Sequence, residues 1–190
     1  MSLLSLLSFL EKIDLECKDF PKESILNYKA LRLDGQGKQG LRGQLGLGDQ
    51  QNCCDYLLPN GDKLTLVEIS DFIKQLKALR DIHKEVPKDC KKFVQDAQKM
   101  MRWEVKVKIL STLLILFKLP TKFKIAHEII HEKQLEIILV ICSNNPDDVR
   151  EFEYLTSEIK NTLNPLIKGV KIVNIPDFNE LLCNKKKYLI

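Results

Sequence analysis

The spacing of apolar and polar positions changes along the chain from block to block. In residues 1–10, Leu3, Leu4, Leu6, Leu7 and Leu10 are followed at once by Glu11 and Lys12, a pattern that predicts an amphipathic first helix. Residues 53–58 and 63–69 are β-rich runs on either side of Pro59-Asn60-Gly61-Asp62. Asn-Gly tolerates the positive φ of a type I′ turn, so a hairpin turning at Asn60-Gly61 is expected. Asp71 is then a candidate cap for a helix over 72–80. A longer helix is expected over 88–119, basic and polar at first, apolar later and closed by Pro120; its second half should lie in the core. Residues 122–142 suit two strands joined by a polar turn, of which 135–141 is apolar enough to be central and covered on both faces. A helix over 148–163 and a strand over 170–175 complete the reading, with Pro165 and Gly169 between them. Helices and strands in this order describe one α/β domain over residues 1–190, a mixed central sheet flanked by helices.

Residues 34–49 hold six of the eight glycines, with Gly37, Gly40, Gly43 and Gly46 at every third position. Such a stretch has much backbone entropy to lose and predicts a flexible loop. Lys38 and Arg42 within it are candidate phosphate contacts, because backbone bare of side chains can approach a phosphodiester closely. The net charge of +4 permits a polyanionic partner without demanding one. The six cysteines, at 17, 53, 54, 90, 142 and 183, form no CxxC pair, and reduced thiols in a cytoplasmic protein are expected. The apolar start lacks a basic leader, and the longest apolar run, 109–117, falls short of the ~20 residues that span a bilayer, so neither a signal peptide nor a membrane span is expected.

The hairpin carries the main candidate chemistry. With Asn60-Gly61 as the turn, Asp55 faces Leu66 and Cys53 faces Glu68. Asp55 and Glu68 then become diagonal neighbours on one sheet face, with Cβ atoms about 6–8 Å apart. Two carboxylates that close repel unless a cation lies between them, and hard oxygen donors suit Mg2+ or Mn2+.

This arrangement resembles the PD-(D/E)XK nuclease superfamily, in which an Asp on one strand and a Glu-x-Lys on the next hold the metal. The matching residues are Asp55 and Glu68-Ile69-Ser70. The resemblance implies a restriction-endonuclease-like αβββαβ core, Mg2+-dependent (or Mn2+-dependent) phosphodiester hydrolysis on DNA, and Glu11 on the first helix as a further metal-side acid. Ser70 stands where the family carries its lysine. Lys74 and Lys77 on the following helix are the first candidates to replace that charge, with Lys106 and Lys108 on the long helix as others. Without such a lysine the chain would be a catalytically silent nuclease-fold module that binds nucleic acid or a protein partner, a second copy among them.

A competing motif is His127-Glu128-Ile129-Ile130-His131, which matches the HExxH of zinc hydrolases. It requires a helix, whereas the β-branched residues around it favour a strand, on which the two histidines would lie roughly 13 Å apart. A third ligand would have to come from Glu151, Glu153 or Glu158. Cys53 and Cys54 read as small strand residues rather than nucleophiles, and Met100, Met101 and Trp103 as core-facing residues of the long helix.

Overall fold

The computed structural model describes residues 10–14, 17, 28–35, 41–47, 52–60, 63–122, 134–150, 152–164 and 166–185. They form a mixed sheet of six strands flanked by helices. In chain order these are β1 (Leu10–Lys12), β2 (Lys29–Arg32), α1 (Leu41–Gln44), β3 (Tyr56–Asn60), β4 (Lys63–Ser70), α2 (Phe72–Glu85), a single 3-10 turn (Lys88–Cys90), α3 (Lys91–Lys122), β5 (Gln134–Ile141), α4 (Pro146–Arg150), α5 (Glu153–Leu163), β6 (Gly169–Asn174) and α6 (Ile175–Lys185). Spatial order follows chain order. Strands β1 to β4 are antiparallel neighbours, and β5 and β6 continue the sheet parallel to β4.

Parallel strands need crossovers long enough to return the chain, and α2 with α3 and then α4 with α5 supply them. On one face, Leu57, Leu66, Ile137 and Leu139 pack against Ile109 and Leu116 of α3 and Ile159 of α5. On the other, Tyr56, Val67, Ile138 and Val140 meet Phe178 and Leu182 of α6 together with Ile13, Cys17 and Tyr28. Covering on both faces is why β5 is apolar at consecutive positions, as its sequence predicts.

Several expectations are corrected. Leu10–Lys12 is a short strand rather than the end of a helix, because its backbone pairs with Lys29, Ala30 and Leu31 of β2; residues 1–9 lie outside the described residues. The glycine-rich stretch is partly built. Leu41 is fully buried, Leu45 and Leu47 pack on the same core, and the turn after α1 passes through Gly46, whose φ of 70° lets Leu47 N–H reach Arg42 C=O at 3.2 Å. Residues 36–40 and 48–49 lie outside the described residues. The helix expected over 148–163 is two, broken at Phe152, which buries its ring. α3 runs through Pro120 to Lys122, and α2 continues beyond position 80 to Glu85. Asp71 stands at the start of α2 without a side-chain cap bond; its carbonyl accepts from Gln75 N–H at 3.3 Å. The first of the two strands expected over 122–142 falls on residues 123–133, outside the described ones.

Cys17 and Cys142 are joined by a disulfide, with Cα atoms 5.9 Å apart, in place of six reduced thiols. Cys53, Cys54, Cys90 and Cys183 are free. Among the described residues no helix is long and apolar enough to cross a membrane.

Candidate functional site

The hairpin forms, but in a different register from the expected one. Asn60 pairs with Lys63 and Tyr56 with Val67, whereas a turn at Asn60-Gly61 would set Asn60 against Gly61; Gly61 and Asp62 lie outside the described residues. Leu66 faces Leu57 rather than Asp55, which stands as a bend residue one step beyond the last pair of the ladder. The shift is by two residues, and a shift of two preserves the face on which each side chain lies. Continued by one step, that register would put the two acids opposite each other, and the Glu68 charge does act on the Asp55 carboxyl.

Glu68 is 1% exposed, at the end of β4 under α3. Its Oε1 accepts a hydrogen bond from Lys108 Nζ at 2.5 Å, and its buried Oε2 has no hydrogen-bond partner among the described residues. Asp55 Oδ2 accepts from the backbone N–H of Ile69 at 2.7 Å, which turns the carboxylate toward β4 one residue past Glu68. Thr112, one helical turn beyond Lys108, fastens the helix to this corner. Its Oγ1 accepts from Cys54 N–H at 2.8 Å and donates to the Lys108 carbonyl at 2.7 Å. A third acid stands near: Leu33 N–H donates to the Asp55 carbonyl at 2.8 Å, and the neighbouring Asp34 is held by Arg32 Nε at 2.9 Å.

Burial is the largest influence on both acids of the pair. It raises the Asp55 carboxyl well above the usual range, helped by the Glu68 charge, against the pull of the Ile69 N–H. It pushes Glu68 up to about 7, against the charge and hydrogen bond of Lys108, with Asp34 and Glu104 adding repulsion. Burial alone would lower Lys108, but Glu68 first and Asp55 next raise it beyond the ordinary lysine range, so its ammonium is fixed. Like charges in a dry setting favour the protonated form of each.

The carboxylate oxygens here, one of them buried without a hydrogen-bond partner among the described residues, are hard donors of the type that Mg2+ and Mn2+ take. Among the described residues no three His, Cys, Asp or Glu side chains group as a ready metal site. Asp55 and Glu68 are the two acids that could hold such an ion.

The other candidates are dispersed. Glu11 sits on strand β1 opposite Ala30, on the face away from Glu68, and pairs with Arg32 at 3.6 Å; the structure does not bring it to the acid pair. Lys74 and Lys77 are exposed on α2, and the cation that reaches Glu68 is Lys108. Lys106, two residues away and so on another side of α3, pairs with Glu158 at 2.6 Å. Arg42 is 7% exposed rather than displayed on a loop, and its charge acts on Cys53. Lys38, His127, Glu128, His131 and Glu151 lie outside the described residues; Glu153 is exposed at the start of α5. Burial pushes the Cys53 thiol up to about 12 and Cys54 well above its ordinary value, so neither is a ready nucleophile. Sequence reasoning missed Asp34 and Thr112; the leucines at 41, 45 and 47 were the available sign that the glycine-rich stretch packs down beside them.

Comparison of the chain with protein-family models, with curated proteins and with solved structures yields no match.

Proposed function

We propose that the chain is a nuclease-like phosphodiester hydrolase acting on DNA, with Asp55 and Glu68 as metal ligands and Lys108 as the cation that the strand motif lacks. The observation that carries this reading is the buried Glu68 carboxylate, paired with Lys108 on one oxygen, without a hydrogen-bond partner among the described residues on the other, and close enough to Asp55 for their charges to act on each other. The element order supports it too: an antiparallel hairpin bearing both acids, a helical crossover and a strand parallel to the second acid's strand accord with a restriction-endonuclease-like core. Mg2+ or Mn2+ at the acid pair would supply Lewis-acid stabilisation of charge on the phosphate. Lys108, fixed as an ammonium, contributes the positive charge that Ser70 cannot, from the helix instead of the strand.

A cleavage assay on single- and double-stranded DNA with Mg2+ or Mn2+ tests this. Asp55→Ala and Glu68→Ala are expected to abolish turnover, and Lys108→Met to lower it by roughly 100-fold or more. Lys74→Ala and Lys77→Ala should leave it nearly intact. Cleavage that survives both acid substitutions would sink the reading. A second reading, a catalytically silent module that binds nucleic acid or a protein partner, draws on the direct Lys108–Glu68 ion pair, which balances the buried charge without a metal. Its signature is salt-dependent DNA binding with no cleavage under any divalent ion.

A further inference from the structure

α3 shows one side to the sheet and another to solvent, and the solvent side is strongly apolar. Phe93 (74% exposed), Met100 (72%) and Trp103 (62%) project outward, contrary to the core positions expected of Met100 and Trp103, and Leu110, Leu114 and Phe117 extend the row. Met101 alone of the three packs against the core. The exposed residues recur with alternating steps of three and four. Phe93, Met100, the half-buried Val107 and Leu114 occupy one heptad position, and Trp103, Leu110 and Phe117 the other. A repeat of 3.5 residues on one helix face is the pattern that keeps a seam against a second helix over many turns.

We propose that this stripe is the interface of a homodimer in which α3 packs antiparallel against α3 of a second copy. The area fits: side chains of this size at these exposures offer roughly 700 Å2 of apolar surface per chain, close to the ~800 Å2 per partner of a stable interface and above what monomers usually display. Self-complementarity favours the antiparallel direction. About a two-fold axis between Val107 and Leu110, Met100 meets Phe117 of the second copy, Trp103 meets Leu114 and Val107 meets Leu110, so each of these central layers joins a larger side chain to a smaller one and the helices keep an even separation. A parallel pair would set Trp103 on Trp103 and would also bring Asp96, which occupies the same heptad position as Trp103, against its own copy. Charge agrees. Lys91, Lys92, Lys99, Arg102 and Lys106 crowd the N-terminal half of α3, and the antiparallel arrangement lays that half beside the apolar half of its partner.

The full chain at about 100 μM, where even a micromolar dimer is saturated, tests the proposal by sedimentation and by the fluorescence of Trp103, the chain's single tryptophan. Wild type is expected to sediment at twice the 22.0 kDa chain mass. Leu114→Glu is expected to raise the dimer dissociation constant by about 100-fold or more and to expose Trp103 to acrylamide. Leu114 lies about 16 Å from Trp103 along its own helix, so a partner running antiparallel is what couples them. Leu114 is exposed, so its variant should fold; unchanged circular dichroism checks this, and Met100→Glu gives an independent second variant. A monomeric wild type overturns the proposal. So does a dimer that persists in both variants, and a dimer in which Leu114→Glu leaves Trp103 shielded overturns the antiparallel arrangement.

Discussion

The two oxygens of the Glu68 carboxylate are held differently: one accepts from the Lys108 ammonium, and the other has no hydrogen-bond partner among the described residues. Burial raises its carboxyl from the ordinary 4.5 to about 7. A carboxyl raised by folding holds its proton more tightly in the native chain than in the unfolded one. The stabilisation it gives is therefore complete below pH 4.5 and is lost as pH rises through 7, an effect of roughly 3 kcal/mol for such a shift. Asp55 shifts in the same direction. Urea unfolding of wild type between pH 4.5 and 8 should show this loss, and Glu68→Gln should flatten much of it, even though leaving Lys108 unpaired lowers the variant's stability overall. Parallel profiles for the two proteins would show that Glu68 does not carry the pH dependence.

At the scale of elements, α3 holds Lys108 in place through Thr112, whose hydroxyl joins the helix to the Cys54 N–H just before β3. Thr112→Val keeps the shape but leaves that buried N–H without its acceptor, at a cost of about 1–3 kcal/mol. Thr112→Ser should recover most of it, with both read from chemical denaturation; equal losses in Val and Ser would assign the effect to packing instead. The hairpin that carries the acids was legible because turn residues separate two β-rich runs. Its register was not, since Pro59-Asn60-Gly61-Asp62 offers more than one two-residue turn and sliding the turn by one residue moves every pairing by two. Pro59 fits β3 because β2 pairs only with Tyr56 and Leu57, leaving the proline beyond the shared ladder. The outward stripe of α3 is not legible as outward in the sequence, because exposed and core-facing apolar residues share a periodicity and only the packed sheet decides which row turns inward. Strand β1 is not legible as a strand, because three residues carry little pattern and their partner, β2, lies elsewhere in the chain.

For the molecule as a whole, the sheet divides stability from chemistry. Glu68 and Lys108 lie on the face covered by α3 and α5, whereas α6, an element with no counterpart in the sequence reading, covers the parallel strands from the other side. Its amphipathic character was readable in principle from Ile175, Phe178 and Leu182, which recur at steps of three and four and are all buried, but the strand expected to end the chain obscured it. Phe178 is fully buried among Ile138, Val140 and Leu182. Phe178→Ala leaves a cavity there and should cost about 3–5 kcal/mol of stability. The cavity opens across the sheet from the acid pair, and the β4 and β5 ladder between them has backbone bonds that do not depend on the phenyl ring. At a temperature where the variant remains folded, its response at the site should therefore match wild type: the same cleavage rate per folded molecule if the hydrolase reading holds, or the same salt-dependent DNA affinity if the silent one does. Loss of that response in proportion to cavity size, with the protein still folded by circular dichroism, would mean that the two faces are coupled and that the sheet transmits packing strain to Glu68.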